Sequence, residues 1–139
     1  MKTAILLDTG PLVAYFYRRD ENHQWAREQI GRLPVPLLIC EPVLTETFFL
    51  LYRLIGSGDP AFEFIQTGAA RLSFNLSDEL DAIKNLMTHY ANVPMSLADA
   101  CLVRMSELYS DSLVLTNDSD FNIYRRRRNQ TIPTLMPSA

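Results

Sequence analysis

Apolar residues come along this chain in short runs, each stopped by a polar or breaker cluster, with longer stretches of helical periodicity between them. Lys2 to Leu7 is such a run, carrying Ile5, Leu6 and Leu7, and it halts at Asp8-Thr9-Gly10-Pro11. That predicts strand, turn and helix, with Pro11 in the first helical turn and Asp8 or Gly10 just before it. A polar helix is expected around Asn22 to Ile30, a turn between Pro34 and Pro36, and a second buried strand over Leu37 to Cys40. Glu41-Pro42 opens another helix, in which Leu44, Phe48, Leu51 and Ile55 recur at helical spacing until Gly56-Ser57-Gly58-Asp59-Pro60.

Ala61 to Thr67 reads as a short helix and Arg71 to Leu76 as a third strand. Ser77, Asp78 and Glu79 then supply the cap and first turn of a helix running to about Tyr90. Ser96-Leu97-Ala98-Asp99 resembles a capping box, opening a helix to about Tyr109. Ser112 to Leu115 is a fourth strand, Thr116 to Asp120 a polar break, Phe121 to Arg128 a short irregular or helical segment, and Thr131 to Leu135 a last strand. Strands alternating with helices predict the α/β class, with a mostly parallel sheet covered on both faces. Phe48, Phe49, Leu50, Leu51 and Tyr52 spread apolar surface around more of one helix than a single core face needs, which predicts a helix that is buried or shared with another subunit.

The length of 139 residues fits a single domain over residues 1–139, with no repeat, low-complexity tract or linker. Hydrophobic residues at 47% and charged residues at 21% are those of an ordered globular chain. Cys40 and Cys101 each stand in an apolar stretch without Cys or His at metal-ligand spacing, so two buried thiols are expected rather than a disulfide or zinc site. The apolar stretch before Asp8 is too short for a signal-peptide core, and no run approaches membrane-spanning length, so a cytoplasmic location is expected. A net charge of -3 argues against gripping nucleic acid by overall basicity, but it leaves room for local patches such as Arg125 to Arg128, or Arg18 and Arg19. His23 and His89 lie on amphipathic segments, where surface roles are expected.

In a right-handed βαβ arrangement the strands end, and the connecting helices begin, at one edge of the sheet, where ligands bind. Asp8 and Asp118 follow predicted strands. Glu46 lies early in the helix after the second strand, and Asp99 lies in the first turn of the helix leading into the fourth. Taken singly, each has an ordinary reading: Asp8 as a helix cap, Glu46 as a solvated helix residue, Asp99 as the acid of a capping box, Asp118 and Asp120 as turn formers. Taken together they predict a rim of carboxylates, whose mutual repulsion a hard divalent cation would relieve. An oxygen-only ligand set suits Mg²⁺ or Mn²⁺, and with it hydrolysis of a phosphodiester. An aspartyl-phosphate phosphatase fits less well, because no second carboxylate stands two positions after Asp8.

The ordered motifs Leu6-Leu7-Asp8-Thr9, Leu44-Thr45-Glu46, Leu97-Ala98-Asp99-Ala100 and Leu115-Thr116-Asn117-Asp118-Ser119-Asp120-Phe121 resemble the PIN domain over nearly the whole chain. The resemblance implies a three-layer α/β/α fold and a Mg²⁺- or Mn²⁺-dependent endoribonuclease of the VapC-like toxin kind, paired with an antitoxin and commonly dimeric. It also implies that Asp8 and Asp99 are the principal metal ligands, that Glu46 and Asp118 complete the acidic cluster directly or through water, and that the Thr116 hydroxyl lines the site. Gly10 departs from the family, which often has a small polar residue there, and the last motif offers both Asp118 and Asp120, of which Asp118 is preferred as the first after the strand. The alternatives are a DNA or structure-specific nuclease using the same chemistry, and a non-catalytic PIN-like module that binds RNA or a protein; the full set of four acids disfavours the latter.

Overall fold

In the computed structural model, which describes residues 2–138, the first apolar run forms strand β1 (Ala4–Leu7) and turns at Asp8 into helix α1 (Thr9–Phe16). The Asp8 carboxylate accepts from the Thr9 amide at 2.7 Å, which makes Asp8 the cap. Helix α2 (His23–Arg32) has no side-chain cap of its own. Its first residue, His23, instead places Nδ1 2.6 Å from the Ala14 carbonyl oxygen, tying α2 to α1. Strand β2 (Leu37–Ile39) leads into α3 (Glu41–Ile55), which has Pro42 in its first turn and stops at Gly56, whose φ of +83° is the left-handed cap glycine adopts most easily. Helix α4 (Asp59–Gln66) and strand β3 (Ala70–Leu72) follow, then α5 (Leu80–His89), α6 (Leu97–Leu108), β4 (Ser112–Leu115), a two-stranded hairpin β5 (Arg125–Arg126) and β6 (Gln130–Thr131), and β7 (Thr134–Leu135).

Several boundaries differ from those the sequence pattern predicts. Helix α4 begins at Asp59, because Asp59-Pro60 occupies its first turn. Strand β3 ends at Leu72 rather than Leu76, because Asn75 accepts from the Ser77 amide and caps a short 3-10 turn at Leu76–Glu79. The cap is therefore Asn75, and Ser77 lies inside the turn. The segment predicted as irregular or helical is a 3-10 turn at Ser119–Asn122 followed by the hairpin. Thr131 belongs to that hairpin, and Pro133, which has no amide to donate, separates it from β7.

Five strands form one wholly parallel sheet in the order β3-β2-β1-β4-β7. The chain builds outward from β1 to β3, then returns to place β4 on the other flank of β1. The topological switch therefore falls between β1 and β4, the crevice where open α/β sheets bind ligands. Strands buried on both faces read as continuous apolar runs, and Leu6, Leu7, Leu37, Ile39, Val114 and Leu115 are all fully buried. Leu12 of α1 and Leu102 and Met105 of α6 cover them.

Helix α3 buries Val43, Thr47 and Leu51 but leaves Phe49, Leu50 and Tyr52 exposed, so it is not the all-round buried helix that its apolar run allowed. Cys40 and Cys101 are fully buried and free, and each other's neighbours; the hydrogen bond with the Cys101 thiol, and then burial, push the Cys40 thiol up. Among the described residues no helix is long and apolar enough to cross a membrane.

Candidate metal centre

The registry of β1 against β4 determines what meets at the switch point. Leu7 pairs with Leu115, so the next residues, Asp8 and Thr116, leave the sheet side by side, with the Asp8 amide donating to the Leu115 carbonyl at 3.0 Å. The Thr116 hydroxyl donates to Asp8 Oδ2 at 2.7 Å. The same hydroxyl oxygen accepts the Asp118 amide at 2.9 Å, so one fully buried threonine positions two acids. Asp118 Oδ1 in turn accepts from the Asp120 amide at 2.9 Å, closing the turn that follows β4.

Asp99 arrives from the other side, on the first turn of α6. Ser96 caps that helix, with its side chain accepting from the Asp99 amide at 3.0 Å while Asp99 Oδ2 accepts from the Ser96 amide at 3.3 Å, a complete capping box. Asp99 Oδ2 also accepts from the Tyr124 hydroxyl at 3.0 Å. Both donors therefore fall on one carboxylate oxygen. Asp99 is the acid of a capping box and also lies with Asp8 and Asp118, because the cap orients its carboxylate.

Asp8, Asp99 and Asp118 each offer a carboxylate oxygen, and the three oxygens lie within 4.8 Å of one another. Asp120 is not in this group. Nor is Glu46, which is half-buried and accepts from the Thr9 hydroxyl at 3.0 Å, linking it to the residue after Asp8. Burial pushes the Asp8 carboxyl up to about 6, against the hydrogen bonds from Thr116 and Thr9 that favour its charged form, and the charges of Asp99 and Asp118 add to the rise. Asp99 is also raised, chiefly by burial. Two buried acids and one partly buried acid at this spacing, with no cation among their side-chain partners in the described residues, form a donor set that fits a hard divalent ion.

Gly10, where the sequence departs from the motif it resembles, is explained by Asn117. A Cβ built on Gly10 would overlap the Asn117 carboxamide, so the side chain missing from α1 is replaced in space by one from the loop after β4. Gly10→Ala should therefore lower Tm in spite of alanine's helix propensity, worth about 1 kcal/mol. In an Asn117→Ala background the same substitution should raise Tm, and calorimetric scans of the four proteins test this sign change.

Sequence reasoning did not single out Tyr124. It is fully buried, packed against Tyr90 and Phe121 at ring-centroid distances of 5.2 Å, and holds Asp99 through its hydroxyl. The available signal was a second bulky aromatic three residues after Phe121, a spacing that a 3-10 turn brings to one side.

Comparison with known proteins agrees with this architecture. The crystal structure of Mycobacterium tuberculosis VapC20, a Sarcin-Ricin loop cleaving toxin, superposes with a TM-score of 0.78 at 20% sequence identity, over 86% of this chain and 94% of that one. No curated protein matches the chain significantly. The family model for the PIN domain matches residues 5–127, a span that begins in β1 and takes in all of the acids above. By that match and by its parallel sheet with acids gathered at the switch point, the chain belongs to the PIN domain family.

Proposed function

We propose that the chain is a divalent-metal-dependent endoribonuclease that hydrolyses RNA phosphodiester bonds, and that it is the toxin of a toxin-antitoxin pair. The observation that carries this reading is the convergence of Asp8, Asp99 and Asp118 at the switch point. Those three residues would hold Mg²⁺ or Mn²⁺, with Glu46 near enough through Thr9 to act by way of water. A cation held there would supply an acidified water for attack on the phosphodiester and would neutralise charge on the leaving oxygen.

The protein's part is to set and protect the carboxylates. Thr116 keeps Asp8 Oδ2 and the Asp118 backbone in register, and Ser96 and Tyr124 hold one oxygen of Asp99 so that the other is available. Such outer partners are commonly worth ten- to a hundredfold in metal affinity or activity. The likeness to VapC20 supports RNA as substrate and an antitoxin as partner. The exposed Phe49 and Tyr52 on α3 support a face shared with another subunit, in keeping with a homodimer.

Purified protein should cut a structured RNA with Mg²⁺ or Mn²⁺ and leave the corresponding DNA intact, with cutting abolished by EDTA and by Asp8→Asn. Inactivity on several RNAs, together with no calorimetric metal binding, would favour a non-catalytic binding module; cleavage of DNA in preference to RNA would favour the DNA-nuclease alternative.

A further inference from the structure

A groove of about 570 Å³ lies between α5 and the β5–β6 hairpin, lined by Asn85, His89 and Tyr90 on one side and by Arg125, Arg127 and Arg128 on the other. None of the three acids lines it; the Tyr90 ring in its wall packs on the buried Tyr124, whose hydroxyl holds Asp99. The groove also reaches Glu107, eight residues further along α6 than Asp99 and so about 12 Å away along the helix.

The four consecutive arginines are not one solvated run. Arg125 donates from Nη1 to the carbonyls of Asn122, Ile123 and Tyr124, and Arg126 donates to those of Ser106 and Ser110, so they cap the end of the 3-10 turn and the end of α6 respectively. The Arg127 amide donates to Glu107 at 2.6 Å, its Nη2 donates to Ser110 Oγ at 2.8 Å and to the Glu107 carbonyl at 3.3 Å, and Arg104 pairs with the other oxygen of the Glu107 carboxylate at 3.1 Å. The one acid in the groove is thus engaged within the protein. Arg128 makes no side-chain hydrogen bond or ion pair among the described residues, and it is exposed at the hairpin tip. Arg127 and Arg128 also hold φ values of +50° and +74°, the left-handed region that glycine and asparagine occupy far more easily. Arg127 offsets that cost through its bonds to Ser110 and Glu107, whereas Arg128 has no such bond among the described residues, which points to another use for its side chain. Three arginines line one groove in a protein of net charge -3, a local concentration of positive charge.

We propose that this groove binds a single-stranded segment of RNA, with Arg128 meeting a backbone phosphate and the exposed His89 ring, held edge-to-face on Tyr90 at 4.6 Å, giving a base a surface to stack on. RNA as the occupant rests on the ribonuclease reading. The cationic groove itself does not.

The test is fluorescence-anisotropy binding of a short single-stranded RNA in EDTA, so that no cleavage contributes, across about 50 to 200 mM salt. Arg128→Gly suits the left-handed backbone, so Tm should hold or rise while RNA binding weakens about fivefold at low salt and the log–log salt slope flattens by about 0.7. Arg128→Lys should retain most of the affinity, and Arg32→Ala, an exposed cation on α2 outside the groove, should change it little. The proposal is overturned if Arg128→Gly weakens binding no more than Arg32→Ala does, or if it loses an acidic peptide while keeping RNA. Absence of cleavage with Mg²⁺ or Mn²⁺, alongside an intact Arg128 effect in EDTA, would instead remove the ribonuclease reading and leave the groove.

Discussion

Asp8→Asn should make the metal-free protein more stable at pH 8 by about 2 kcal/mol while removing metal-dependent cleavage. Asp8 is 6% exposed, and its carboxyl is pushed from 3.8 up to about 6. A folded-state value above the unfolded one means that the native state binds the proton more tightly. The stability that comes from this is complete below about pH 4, is lost as pH rises through about 6, and stays lost above it. A shift of that size corresponds to about 3 kcal/mol. Asparagine carries no charge and escapes the penalty, but its amide group must face the Thr116 hydroxyl, where Asp8 Oδ2 now accepts, and that rearrangement takes back about 1 kcal/mol. Urea unfolding in EDTA should therefore show a clear gain at pH 8 that vanishes near pH 4. A gain of equal size at both pH values, or a loss at pH 8, would contradict the cause assigned here. Cleavage should fall by roughly a thousandfold, the several kcal/mol of charge stabilisation that a bound cation contributes.

The second large effect is expected at Thr116. Thr116→Val keeps the shape but removes both the donor to Asp8 and the acceptor for the Asp118 amide, inside a fully buried setting. The loss of two hydrogen bonds should destabilise the fold by about 2 kcal/mol. Because the Thr116 bond favours ionised Asp8, its removal should raise that carboxyl further, and Mn²⁺ binding followed by calorimetry should then begin at higher pH. Cleavage should drop about ten- to a hundredfold. Thr116→Ser should restore the pH midpoint. An unchanged midpoint in Thr116→Val, with only stability reduced, would make Thr116 a packing residue.

The parts of this protein that were legible in its sequence are those determined by local chemistry. Leu6-Leu7 before Asp8 and Val114-Leu115 before Thr116 read as buried parallel strands, because strands covered on both faces have no polar alternation to hide them. Ser96 and Asp99 announced α6 through a capping box, and Gly56 announced the end of α3. The assignments that failed depended on partners distant in sequence or on competition between neighbours. Asn75 claimed the Ser77 amide and cut β3 short. The hairpin could not be read from Arg125 to Arg128, since nothing in four like charges encodes a turn whose two left-handed residues are arginines. In the site, the grouping of Asp8, Asp99 and Asp118 needed only strand ends and a helix start. The Tyr124 bond to Asp99, the Thr9 bond to Glu46 and the Asn117 side chain filling the space over Gly10 needed tertiary coordinates.

The bond from Thr116 to Asp8 spans 108 positions of the chain. During synthesis Asp8 leaves the ribosome early, whereas the threonine that orients it and the Asp118 that shares its centre come late, with β4. Until then the acid sits at the bare flank of an unfinished sheet. A nascent chain, or a fragment released before β4, thus carries no assembled centre, and the grouping of acids forms only after the chain through Asp118 has been made.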